Sequence, residues 1–276
     1  MPAVDALERA AIRHELPCGS ATMAWRVWGE GRPVVLLHGG SGSWNHWVRN
    51  IAPLVGSGRR VLVPDLPGFG ESSLPPGGND ADALPGPVEG ALQALLGDAE
   101  CDIVGFSLGA MVGAFITAHW PLRVRRLVLA GAPALGIPRA PWIGLRPWAD
   151  LPEGPARDAA HRANLEALML AAPVAIDSLA VALHARNMAR DRMKKRRIAL
   201  TDVLLRTLRH VRCPVYGIWC ELDALYRGRN AMLAPALATA ADFRGLTLIP
   251  DAGHWVQFEQ PVAFNAALAG DRKRHV

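Results

Sequence analysis

Ser107 lies midway between Gly105 and Gly109 in a G-x-S-x-G pentapeptide. The pentapeptide follows the strand-like run Asp102-Ile103-Val104 and precedes the helix-like apolar run 110–116. A serine at a sharp turn from strand to helix can act as a nucleophile, because glycines two residues away let neighbouring chain pass close by. The first turn of such a helix also directs backbone amides at the site, where they stabilise a developing oxyanion. The pattern predicts a nucleophile only in this context, since the bare motif is frequent.

Two later groups could activate this serine. Asp223 follows an apolar run ending near residue 220, and His254 follows the next such run. A serine hydroxyl is a poor nucleophile at neutral pH until an imidazole takes its proton, and a carboxylate fixes the tautomer of that imidazole. Glu221 is the rival to Asp223. The chain order Ser, Asp, His predicts acyl transfer by a catalytic triad.

A glycine-rich loop, residues 38–42, follows an early apolar run. Such a loop can turn a backbone N–H toward an acyl oxygen, so we predict an oxyanion hole made by the N–H groups of Gly40 and Leu108. His38 is expected to support this loop, and Asp65 to accept hydrogen bonds from the following turn. This chemistry requires no metal and no organic cofactor.

Short apolar runs separated by helix-length segments must position these groups. They lie at 34–37, 61–63, 102–104, 126–129, 214–219 and 246–249. Nearly continuous apolar runs are typical of strands covered on both faces, which predicts a parallel α/β sheet. The alternation over 22–28 predicts an antiparallel edge hairpin. Some eighty residues separate the run at 126–129 from the run at 214–219, which is far longer than the connection between two neighbouring strands needs to be. We therefore predict a core of 1–134 and 212–276 with an inserted helical cap at 135–211.

The 276 residues, half of them hydrophobic, are enough for a large buried core. The net charge of +5 arises from one segment, since residues 186–212 contain ten Lys and Arg against two Asp. No recognition motif accompanies this segment, and we therefore predict no nucleic-acid partner. Its run Lys194-Lys195-Arg196-Arg197 is interpreted as a solvated helix face.

The stretch 103–122 contains no Asp, Glu, Lys or Arg and is long enough to span a bilayer. Its glycines and its closing Trp120-Pro121 favour a buried strand, a turn and a buried helix instead. The N-terminus has no uninterrupted apolar core, and the four cysteines are widely separated. We therefore expect a cytoplasmic protein with no membrane partner, no disulfide and no zinc site.

Together these motifs resemble the alpha/beta hydrolase fold superfamily. The resemblance is carried by His38-Gly39-Gly40, the stretch 65–72, the pentapeptide 105–109, Asp223 and Gly253-His254. It covers nearly the whole predicted core. It implies a mostly parallel central sheet flanked by helices, with an inserted helical cap. It also implies that Ser107 is the nucleophile, His254 the base and Asp223 the group that orients it.

Within that superfamily, residues 38–51 and 253–259 are similar to the meta-cleavage-product hydrolases, which split a carbon–carbon bond in ring-opened aromatic dienoates. In that group a cap arginine binds the substrate carboxylate, a role that Arg186 or Arg190 could take here. Trp255 matches the aromatic residue that follows the base. Phe106 is a departure, because the group usually has asparagine immediately before the nucleophile.

The apolar residues Phe106, Trp142 and Trp148 and an Ala- and Leu-rich cap favour a hydrophobic substrate. We therefore predict a serine hydrolase of small esters or lactones that works through an acyl-enzyme. Carbon–carbon hydrolysis of 2-hydroxy-6-oxo-dienoates, peracid formation and a non-catalytic ligand receptor remain alternatives. The expected partner is a small-molecule substrate, and a homo-oligomer is left open.

Overall fold

The structure is a computed structural model that describes residues 1–138, 143–193 and 195–270, so Trp142 and Lys194 lie outside the described residues. Within these ranges eight strands form one sheet. They are β1 (Ile12–Cys18), β2 (Ala21–Trp28), β3 (Arg32–Leu37), β4 (Arg59–Pro64), β5 (Cys101–Phe106), β6 (Val124–Ala130), β7 (Val215–Cys220) and β8 (Phe243–Ile249).

The strand order is β1-β2-β4-β3-β5-β6-β7-β8. β1 pairs with β2 and β2 with β4 in the antiparallel sense, and every pairing from β4 to β8 is parallel. The predicted edge hairpin and parallel sheet are both confirmed. Because parallel strands end at the same edge, the loops after β3, β5, β7 and β8 meet there.

Helices cover the sheet. In the described residues they are α1 (Pro2–Arg9), α2 (Ile51–Gly56), α3 (Pro85–Leu96), α4 (Leu108–His119), α5 (Pro155–Asn164), α6 (Ser178–Ala189), α7 (Val203–Leu208), α8 (Leu233–Leu237), α9 (Val256–Glu259) and α10 (Pro261–Gly270). The uncharged stretch 103–122 is β5, a tight turn and α4, as predicted. Among the described residues, none of these helices is long and apolar enough to cross a membrane.

Successive residues of the central strands pack into different cores. Ile103 of β5 belongs to the cluster on one face of the sheet, and Val104 to the cluster on the other. Both side chains are fully buried. This explains why the central strands are continuously apolar rather than alternating.

The chain between β6 and β7 forms an insertion that contains α5, α6 and α7. Asn187 of α6 joins the insertion to the loop after β3: its amide exchanges hydrogen bonds of 2.7 and 2.9 Å with Asn45 and accepts another from the Ser43 hydroxyl at 2.9 Å. Both asparagines are buried. These buried polar groups are hydrogen-bonded to one another, which fixes the position of the insertion against the sheet edge that carries Ser107.

Candidate active site

Ser107 lies on the turn that links β5 to α4. Its backbone has φ +52° and ψ −116°, a region that residues other than glycine rarely adopt. The Ser107 N–H donates to the carbonyl of Ala130 at 2.8 Å, which holds the turn against β6. Backbone strain of this kind persists where the surrounding structure imposes it, and it is characteristic of functional sites.

The two glycines of the pentapeptide are required by close backbone contacts. A Cβ on Gly109 would collide with the carbonyl oxygens of Leu37 and His38, where α4 passes the end of β3. A Cβ on Gly105 would collide with the backbone of Ala110. Glycine at both positions is therefore required for the strand and the helix to approach this closely at a tight turn.

His38 supports the loop that contains Gly40. Its Nδ1 hydrogen bonds to the carbonyl of Gly39 at 2.7 Å, and its Nε2 accepts the N–H of Leu66 at 2.8 Å. This pattern requires a neutral imidazole with the proton on Nδ1. Burial lowers the pKa of His38 and favours the same neutral form. The predicted structural role of His38 is confirmed.

Asp65 stabilises the same region from the next loop. Its carboxylate accepts the backbone N–H of Trp44 at 2.8 Å and that of Glu71 at 3.0 Å. The buried guanidinium of Arg26 lies 3.4 Å away. The expectation that Asp65 satisfies turn amides is confirmed.

His254 and Asp223 form a buried pair at the ends of β8 and β7. Nδ1 of His254 lies 2.9 Å from Oδ2 of Asp223, whose Oδ1 accepts the N–H of Leu225 at 2.9 Å. Glu221 is exposed, so the structure pairs the histidine with Asp223 rather than with its rival. An Asp carboxylate on Nδ1 keeps the proton there and leaves Nε2 as the basic nitrogen.

Glu259 fixes the backbone before His254, a role that was not predicted from the sequence. Its carboxylate accepts the N–H of Gly253 at 2.7 Å and, from the insertion, the N–H groups of Ala171 at 2.9 Å and Ala172 at 2.6 Å. One side chain of α9 therefore joins the insertion to the loop between β8 and α9, which contains His254 and is called the histidine loop below. Its sequence signal, a glutamate five residues after the histidine, is too general to be read without the fold.

A cavity of about 810 Å³ opens at this edge of the sheet, and the predicted nucleophile and base both line it. Gly40, Leu108, Phe106 and Trp255 line it as well. The other lining side chains are mostly apolar and come largely from the insertion, among them Leu135, Ile137, Ile143, Leu145, Leu168, Met169 and Met188. Six of the predicted site residues are thus brought together around one largely hydrophobic chamber.

The structure places the two predicted substrate-binding arginines elsewhere. Arg186 lies 4.0 Å from Glu8, and Arg190 lies 3.5 Å from Glu71. Neither is among the described residues that line the cavity. The expectation that one of them faces the pocket is wrong, since their side chains lie beside acidic partners from the N-terminal helix and from the loop after β4.

Among the described residues, Arg196 is instead the arginine that lines the cavity. α6 ends at Ala189, so the interpretation of the basic run as a helix face is wrong for Arg196. Its guanidinium pairs with Asp191 and donates to the Ser41 hydroxyl at 3.1 Å. A Cβ on Gly40 would lie 2.8 Å from its Nη1, which places the guanidinium directly beside the predicted oxyanion loop.

The described residues contain no group of three or more His, Cys, Asp or Glu side chains that could hold a metal ion. The four cysteines are all buried and unpaired. Burial raises the pKa of Cys101 and of Cys213 to about 12, so both are neutral thiols near neutral pH.

Comparisons with known proteins agree with this arrangement. Residues 34–267 match the model of the alpha/beta hydrolase family. A 2-hydroxy-6-oxononadienedioate/2-hydroxy-6-oxononatrienedioate hydrolase of Escherichia coli O139:H28 is 30% identical over 249 residues, covering 84% of each chain. The dihydrolipoyllysine-residue acetyltransferase component of the acetoin cleaving system of Pseudomonas putida is 28% identical, over 93% of this chain and 68% of that protein.

Solved structures show the same fold. A mutant of the meta-cleavage product hydrolase from Pseudomonas fluorescens IP01, complexed with acetates, superposes with a TM-score of 0.76 at 21% identity and covers 95% of this chain and 98% of its own. The fold and the family match together show that this chain is an enzyme that belongs to the alpha/beta hydrolase family.

Proposed function

We propose that the chain is a serine hydrolase that cleaves small carboxylic esters or lactones with a largely apolar body, and that Ser107 is its nucleophile. One observation carries the proposal: the strained Ser107 turn and the buried His254–Asp223 pair open into the same cavity. A nucleophile on such a turn, an imidazole held by a carboxylate and a mostly apolar chamber are the parts that acyl transfer needs.

In this mechanism Nε2 of His254 takes the Ser107 proton as the hydroxyl attacks the carbonyl carbon. The backbone N–H groups of Gly40 and Leu108 stabilise the negative oxygen of the tetrahedral intermediate. His254 then protonates the leaving alcohol, and Asp223 stabilises the imidazolium that forms between these steps. Water attacks the acyl-enzyme by the same sequence in reverse, which releases the acid and restores Ser107.

Hydrolysis of a carbon–carbon bond in a 2-hydroxy-6-oxo-dienoate is the second candidate. The names of several relatives favour it, as does a cationic side chain inside the cavity. In that reaction Arg196 would hold the substrate carboxylate, since guanidinium and carboxylate match in charge and geometry. Its bond to Asp191 argues against this, because the existing carboxylate already neutralises the guanidinium.

The two candidates are separated by measuring kcat/KM on p-nitrophenyl esters of increasing chain length and on a 2-hydroxy-6-oxo-dienoate. Wild type, Ser107→Ala and Arg196→Gln are compared, with Arg186→Gln as the matched control outside the cavity. Ester hydrolysis that is lost in Ser107→Ala and kept in Arg196→Gln supports the first candidate. Dienoate turnover alone, reduced in Arg196→Gln but not in Arg186→Gln, supports the second. Folded wild type that hydrolyses neither substrate contradicts both.

A further inference from the structure

Two histidines line the cavity without a part in the proposed mechanism. They are His46, from the loop after β3, and His184, from α6 of the insertion. Behind His184 lies a third, His161 of α5, which is fully buried and packs against the ring of Trp148 at 5.0 Å. The insertion therefore places a pair of imidazoles in and behind the cavity wall.

The pair is joined nitrogen to nitrogen. Nδ1 of His161 lies 3.1 Å from Nδ1 of His184, so one of the two must donate and the other accept. Nε2 of His161 is buried and has no hydrogen-bond partner among the described residues. A buried N–H without an acceptor is rarer in proteins than an acceptor that is left unfilled. The favoured arrangement has the proton of His161 on Nδ1, with Nδ1 of His184 as its acceptor.

This assignment fixes the other nitrogen of His184. With Nδ1 acting as an acceptor, a neutral His184 carries its proton on Nε2, at the far edge of the ring from His161. Burial and the neighbouring His161 lower the pKa of His184 to about 4, so the ring is neutral near pH 7. His184 is also the member of the pair that lines the cavity.

Asn164, another polar residue of the cavity wall, uses its side-chain amide in hydrogen bonds to the protein backbone. Its Oδ1 accepts the N–H of Arg146 at 2.6 Å, and its Nδ2 donates to the carbonyl of the same residue at 2.9 Å. Apolar side chains such as Leu168 and Met188 line the same chamber. A neutral donor in these surroundings discriminates between substrates, because a substrate without an acceptor leaves the donor unpaired.

We propose that His184 Nε2–H is a specificity-determining donor that binds an acceptor oxygen on the substrate, away from the scissile carbonyl, and that His161 is the positioning residue that sets its tautomer. The substrates it selects are esters or ketones whose apolar body carries one further oxygen, such as a keto group. This proposal rests on the proposed function, since the substrate must occupy the cavity that Ser107 opens into.

Matched substrates test the role of His184. Hexanoate and octanoate p-nitrophenyl esters are compared with analogues in which one methylene, at successive positions, is replaced by a keto group. For one position we expect wild type to prefer the keto ester about five- to tenfold in kcat/KM, as one neutral hydrogen bond provides. We expect the preference to vanish in His184→Phe and to persist in the control His210→Phe, whose side chain is exposed.

The outcomes separate this proposal from the proposed function. Plain esters hydrolysed by wild type with no keto preference at any position, or a preference unchanged in His184→Phe, overturn the role of His184. Failure to hydrolyse any ester overturns the ester proposal itself.

The tautomers are measured directly by long-range ¹H–¹⁵N NMR of the histidine rings, assigned with His184→Phe. We expect a protonated Nδ1 in His161 and a protonated Nε2 in His184. The reverse pattern would make His184 an acceptor and overturn the proposal. This measurement needs no substrate, so its result does not depend on whether the protein hydrolyses esters.

Discussion

Replacing Glu259 by glutamine should damage both stability and catalysis, because this side chain joins the histidine loop to the insertion. The carboxylate accepts three backbone N–H groups, from Ala171, Ala172 and Gly253. An amide has a single acceptor oxygen, and its NH2 group must then face an N–H donor. At least one hydrogen bond to a charged acceptor is lost, which costs about 1.5 to 3 kcal/mol. A loss of this size corresponds to a fall in Tm of about 3 to 12 °C for a protein of this length.

The catalytic effect follows from the position of Gly253, immediately before His254. If that backbone segment shifts, the imidazole loses its alignment with Ser107, and kcat should fall about tenfold or more while KM changes little. The assay is thermal unfolding together with kcat and KM on the best ester. Glu221→Gln is the control, since Glu221 is an exposed carboxylate of the neighbouring loop. A Glu259→Gln variant with wild-type Tm and kcat, or equal losses in Glu221→Gln, would contradict this role of Glu259.

Three further predictions concern packing, pH and salt. Gly109→Ala should abolish activity or folding because its Cβ meets the Leu37 carbonyl, whereas Gly90→Ala, on the open side of α3, should raise stability by about 0.5 to 1 kcal/mol; urea unfolding checks both, and equal effects would contradict the contact. The free energy of unfolding should fall as the pH drops below about 6.5. The cause is that burial lowers the pKa of His184, so the unfolded chain binds a proton that the folded protein excludes. The midpoint of urea unfolding, measured at pH 7.5, 6 and 5, should therefore depend less steeply on pH in His184→Phe than in wild type. An equally steep dependence in the variant would contradict this. Acidic substrates should lose more rate between 50 and 500 mM salt than neutral ones, since their attraction to the basic segment around Arg196 is screened; equal salt responses in steady-state kinetics would remove the electrostatic argument.

The sequence predicted the fold, and it predicted that Ser107, Asp223 and His254 lie at one edge of the sheet, because both depend on local constraints. Gly105 and Gly109 are needed wherever a strand turns sharply into a helix, so their spacing around Ser107 indicates that geometry without further information. The apolar runs likewise predicted the parallel sheet, since strands buried on both faces cannot alternate. The ends of those strands then place Asp223 and His254 at the same edge.

The cavity wall could not be predicted in the same way. Arg186 and Arg190 have the spacing of one helix face, but the direction of that face depends on Glu8 and Glu71, which are distant in sequence. Arg196 reaches the cavity only because α6 ends at Ala189 and the chain turns back toward the loop after β3. Each of these arginines contacts a residue that is distant in sequence, Glu8, Glu71 or Ser41, and a single sequence contains no direct sign of such contacts.

The pairing of His161 with His184 is a similar case. The two residues lie on different helices and have no motif around them, so their sequence positions gave no reason to connect them. Their contact depends on how α5 packs against α6. The hydrogen bonds of the buried Glu259 likewise depend on how α9 packs beside the insertion. Non-local packing therefore sets the substrate-facing part of the site, whereas local backbone geometry sets the reacting part.

The central claim is that Ser107 is a nucleophile activated by His254. The most direct measurement is the rate of covalent labelling by a fluorophosphonate, followed by intact mass and by mapping of the modified peptide. We predict one adduct per chain, on Ser107, with none in Ser107→Ala and labelling at least about a hundredfold slower in His254→Ala. Absence of labelling in folded wild type, an adduct on another residue, or an unchanged rate in His254→Ala would contradict it.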